Sequence, residues 1–124
     1  MVKIFRVSVP TEKGNPMRVW AVSFNRVPGL AITQGVRWRD ASQKSYCVSN
    51  EWAVTHLASG RAVIGIITGL WRAWRALNAL NHTGTDWTLD MGAVLALPGK
   101  ELRQEQLLAI RERYELIEWA FEEW

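Results

Sequence analysis

Apolar and polar positions alternate along Val2 to Val9 and again along Met17 to Asn25, the period-two pattern of strands with one buried face. In the second stretch Arg18, Trp20, Val22 and Phe24 fall on one side. Residues 10–16 between them carry two prolines and a glycine, so the two strands are expected to form an antiparallel hairpin. Pro28 and Gly29 break the chain before a short strand over Leu30 to Thr33, and residues 39–45 are polar and read as a loop.

Residues 46–67 admit two readings. Residues 50–58 can begin a helix, but Tyr46, Val48, Trp52, Val54 and Thr55, then Val63, Ile64, Ile66 and Ile67, favour strands around a turn at Ala58, Ser59 and Gly60. The favoured reading is a second hairpin, with Trp52, Val54 and His56 on one face. From Thr68 to Asn81 the period becomes helical and closes at His82 to Gly84. Leu70, Trp74, Leu77 and either Leu80 or Asn81 line one side of that helix, while Arg72, Arg75, Asn78 and His82 line another. Residues 85–90 suit a short strand or cap, and residues 91–97 fit neither period. Pro98 and Gly99 then open a helix expected to run from Lys100 to Trp124, with Leu107, Ile110, Tyr114, Ile117, Phe121 and Trp124 at heptad spacing. Such a helix is about 37 Å long and reaches beyond a small sheet.

Strands first and helices afterwards predict an α+β fold: an antiparallel sheet from two hairpins, one central helix and a long C-terminal helix. The expectation is one domain over 1–124, mainly β in 1–67 and mainly α in 68–124. This order is loosely similar to the layout of the single-strand-binding domains of the coactivator and plant Whirly type, a resemblance of arrangement without a matched motif. Function rests on sites rather than on layout.

Composition changes the picture in two ways. Eight tryptophans in 124 residues exceed the needs of one small core, and several stand beside arginine, as in Arg37, Trp38 and Arg39 or Trp71, Arg72, Trp74 and Arg75. An indole offers a flat apolar face and one N–H, so it fills a core, anchors an interface or stacks on a base. Charge is also uneven: residues 1–75 hold eleven Lys and Arg against three acids, a balance of +8, whereas residues 100–124 hold four against seven, a balance of −3. A basic body favours a polyanionic partner, unless the acidic helix folds back and cancels it. No apolar run reaches the roughly 20 residues of a membrane span. No secretory leader is expected where charges interrupt the opening apolar pairs, and the single Cys47 fits a reducing, cytoplasmic setting.

Catalytic patterns fail. Cys47, His56, His82, Asp86 and Asp90 lack metal-ligand spacing, so no metal or cofactor is expected. Cys47 with His56 lacks a nucleophile turn, and Thr55 and His56 beside Ser59 and Gly60 are explained by a turn. The chain is therefore expected to bind and not to catalyse. One reading is single-stranded nucleic acid held by Arg37, Trp38, Arg39, Lys44, Arg72 and Arg75. Against it stands the ordinary use of an amphipathic helix, with Trp71 and Trp74 packed on the sheet and the arginines solvated. The alternative function is a small inhibitor of the kind phages and mobile elements direct at a host protein. Exposed Trp and the helix end would then carry it through Tyr114, Glu115, Glu118, Phe121, Glu122, Glu123 and Trp124. Glutamates there oppose the helix dipole, which invites a basic partner. The same heptad positions can also pair two copies as a homodimer.

Overall fold

The computed structural model describes residues 2–11, 15–38, 46–116 and 124. Five strands succeed one another in sequence and in space: β1 (Val2–Val9), β2 (Met17–Phe24), β3 (Leu30–Trp38), β4 (Tyr46–His56) and β5 (Ala62–Ile67). Every neighbouring pair is antiparallel. Three helices complete the chain, α1 (Leu70–Asn81), α2 (Met91–Leu95) and α3 (Lys100–Tyr114). The architecture is α+β, and both expected hairpins are present.

One sheet face carries the main core. Leu30, Ile32, Val54, Ile64 and Ile67 pack there against Ala73, Ala76, Leu77 and Leu80 of α1, Val94 of α2 and Leu107 of α3. Alanine at two of the four buried α1 positions lets that helix lie close to the strands. The loop after α1 closes the core with Trp87, which reaches the Leu80 carbonyl. Asp86 shapes this loop by accepting from the Thr88 hydroxyl and amide, and those bonds hold its carboxyl below the ordinary value. The Trp87 backbone passes so near Gly29 that any side chain there would collide with it, and Gly29 has φ +87°.

The opposite face curls on itself. β2 pairs with β3 only over Ala21 to Ser23, and beyond that the Trp20 N–H donates to the Gln34 side-chain oxygen at 2.9 Å instead of to a ladder carbonyl. A register shift between Gln34 and Val36 turns Val36 into a second small core with Val9 and Val19. The end of β1 thus returns over the β4–β5 turn, where a Cβ on Gly60 would lie 2.6 Å from the Ser8 oxygen.

Two expectations need correction. β3 runs to Trp38 and not to Thr33, because the bulge at Gly35 breaks the alternation that marks a strand in sequence. The last helix is 15 residues long and ends at Tyr114, and Glu115 is extended with φ −78° and ψ 124°. Leu107 to Trp124 therefore do not lie along one helix, and the expected two-helix seam has no continuous helix to run on. The chain leaves helical geometry because it is pulled onto β5, where the Leu116 N–H donates to the Ile66 carbonyl at 2.6 Å.

Candidate nucleic-acid interface

The tryptophans divide by environment. Trp87 and Trp124 are buried and meet each other and His56 edge to face, with centroids 5.0 to 6.3 Å apart. Trp52 packs half-buried against the same core. Trp20, Trp71 and Trp74 reach solvent. The side chain of Trp38 and all of Trp119 lie outside the described residues.

On α1 the buried stripe is Ala73, Ala76, Leu77 and Leu80, not the expected stripe through Leu70 and Trp74. The small residues take the sheet side, and the indoles are turned outward. Trp71 is 67% exposed and Trp74 37% exposed, so the ordinary packing of both onto the sheet does not hold. The two rings stack on one another with centroids 5.3 Å apart and planes 13° from parallel. Stacking occupies one face of each ring and leaves the outer face of Trp71 to solvent.

The arginines beside them differ. Arg72 donates to the Arg113 carbonyl at 2.9 Å and lies 5.7 Å over the Tyr114 ring, which Arg113 also approaches at 5.5 Å. Arg72 thereby fastens α1 to α3. Arg75 is exposed and has no acidic partner among the described residues. Arg37 and Trp38 end β3, with side chains outside the described residues, as are Arg39 and Lys44.

A second basic and aromatic strip lies on the sheet. Trp20 is 47% exposed, and the Arg6 guanidinium sits 5.0 Å above its ring while donating to the Arg18 carbonyl at 3.4 Å. Arg18, Trp20, Val22 and Phe24 alternate onto one face of β2, and Phe24 is packed at the edge of the main core beside α1. Between α1 and the end of β2 runs a groove of about 280 Å³, lined by Phe24, Asn25, Arg26, Val27, Trp74 and Asn78. Its walls are tied by the Asn81 amide, which donates to the Arg26 carbonyl at 3.1 Å. Sequence placed Trp20 on this face by the alternation through Arg18 to Phe24 but gave it no binding role, and Arg6, Asn25 and Arg26 were not singled out.

Residues expected to meet a protein partner are partly engaged inside the chain. Glu115 accepts the Gly65 N–H at 2.6 Å, so its carboxylate covers a strand amide. Trp124 is buried, and its N–H donates to the Ala62 carbonyl at 3.0 Å. Its main-chain oxygen accepts from the Nε of Arg103, a buried arginine whose Nη2 has no hydrogen-bond partner among the described residues. Tyr114 is half-buried beneath two guanidiniums. Glu118, Phe121, Glu122 and Glu123 lie outside the described residues.

His56 resembles half of a catalytic pair but is built into the core. It has no exposed surface, its Nε2 donates to the Leu89 carbonyl at 2.8 Å, and its Nδ1 is left to meet the Ser59 hydroxyl at 2.7 Å. Ser59 Oγ in turn takes the Arg61 N–H, which makes the set a brace for the β4–β5 turn. Among the described residues no cluster of three or more His, Cys, Asp or Glu can hold a metal ion. No helix among them is long and apolar enough to cross a membrane. Compared with family models, with curated proteins and with solved structures, the chain matches none.

Proposed function

We propose that the protein is a non-enzymatic binder of single-stranded nucleic acid, using the outward face of α1 and the adjoining strip of β2. The observation that carries this reading is the solvent-facing stack of Trp71 on Trp74 beside Arg75, which has no acidic partner among the described residues. A single strand needs flat apolar surfaces for its bases and nearby cations for its phosphates, and stacking contributes roughly 1 to 3 kcal/mol per base. Arg6, Arg18 and Arg26, all exposed, extend the cationic surface toward the sheet.

A second reading, a protein-interaction module, draws on the same surface. Leu70 is exposed beside Trp71, and Val2 and Ile4 are exposed across from Phe24 and Val22, which gives apolar area that a protein partner can cover. Salt dependence separates the two. Titrating labelled single-stranded and duplex oligonucleotides at low and high salt should show single-strand binding that weakens steeply as counterions compete. Trp71→Ala should weaken it by about fivefold to a hundredfold. Arg75→Ala with Arg26→Ala should flatten the salt slope by about one to two. If no strand binds at low salt, the nucleic-acid reading is lost and the exposed tryptophans belong to a protein contact.

A further inference from the structure

Resting on that reading, we infer that the groove between α1 and the end of β2 is a pocket for one unpaired adenine base of the bound strand. Three observations lead there. The groove is lined by aromatic residues from both elements, Phe24 on the sheet and Trp74 on the helix, and by the buried Val27. Trp71 already covers one face of Trp74, so the remaining face or the ring edge is what the groove can use. At about 280 Å³ the space is smaller than the pockets that hold drug-sized ligands, which start near 300 Å³, and suits one heterocycle.

The polar lining selects among bases. Asn25 and Asn78 are among the residues that line the groove, and neither side chain has a hydrogen-bond partner among the described residues. A carboxamide presents a donor and an acceptor side by side, the complement of the adenine edge at N6 and N7, whereas guanine calls for a bidentate arginine. Arg26, the one cation in the lining, is exposed and its backbone is fixed by Asn81. That position suits the phosphate of the same nucleotide. The walls are tied before any ligand arrives, since the Asn81 bond joins α1 to the turn and the Val27 N–H closes that turn onto the Phe24 carbonyl at 3.0 Å. Little ordering cost then falls on binding.

The test is an anisotropy titration with short labelled strands of thymidine that carry one central adenosine, guanosine, cytidine or no substitution. The adenosine strand should bind at least about fivefold more tightly than the all-thymidine strand, the lower end for one bidentate contact. Asn78→Leu should cut that preference to less than about twofold, the loss of one bidentate contact, with its thermal melting recorded to show that it folds. If Asn78→Leu does not fold, Asn25→Ala takes its place with the same expected loss. Equal binding of all four strands overturns the pocket and leaves the single-strand reading standing. Preference for guanosine overturns it as well, in favour of readout by Arg26. Absence of binding to every strand at low salt removes both proposals together.

Discussion

The two outer edges of the sheet are handled differently. Along β5 the outward backbone groups are covered by the C-terminal part of the chain: Ala62, Val63 and Ile66 give their carbonyls to Trp124, Arg111 and Leu116, and Gly65 gives its N–H to Glu115. Along β1, backbone hydrogen bonding among the described residues is to β2 alone. Lys3 and Arg6 stand exposed on it, and Ile4 is 69% exposed. An unpaired edge invites another strand, and charge is one way proteins discourage it. One edge is sealed by hydrogen bonds and the other is guarded by cations. The sealed edge therefore contributes to stability, and the guarded edge to solubility.

Substitutions can break that comparison. Trp124→Ala removes a fully buried indole and the bond to Ala62, and should cost about 3 to 5 kcal/mol in chemical denaturation. Gly60→Ala places a methyl group against the Ser8 carbonyl at φ +73°, and a loss of about 2 to 3 kcal/mol is expected, read as a lower melting temperature. Glu115→Ala leaves the Gly65 N–H without its acceptor, at about 1 to 2 kcal/mol. Ile4→Thr on β1 should move stability by less than about 0.5 kcal/mol. Lys3→Ala with Arg6→Ala should likewise leave melting nearly unchanged while raising light scattering as the protein is concentrated. A large stability loss on β1, or none at Glu115, would contradict the division between the edges.

Much of the scaffold was legible from periodicity. The two hairpins, the start of α3 after Gly99, and the shared face of Trp52, Val54 and His56 come from alternation and turn residues, since those signals are local. The end of α3 was not legible. Residues 107–124 keep helical spacing, and no Gly or Pro marks the stop at Tyr114; the stop comes from β5 amides and carbonyls about 50 residues away in sequence, as in the Glu115 bond to Gly65. The candidate site was legible in composition only. Spacing placed Trp74 inward on α1, but Ala73 and Ala76 took the buried stripe because close helix packing favours small side chains there. Asn25 and Arg26 carry no periodic signal at all, and only the fold sets them opposite Trp74 and Asn78.

The seal on β5 also has a consequence in time. Strands that pair only with their sequence neighbours need short loop closures, so the five-strand meander can form early and quickly. The seal needs contacts across long separations, 48 residues from Arg111 to Val63 and 62 from Trp124 to Ala62. It must therefore close late. Until it does, a refolding or newly made chain carries two open edges instead of one, and β5 is wholly apolar apart from Gly65. Aggregation during refolding should thus originate at Ala62–Ile67, a strand that shows no such tendency once the chain has finished folding.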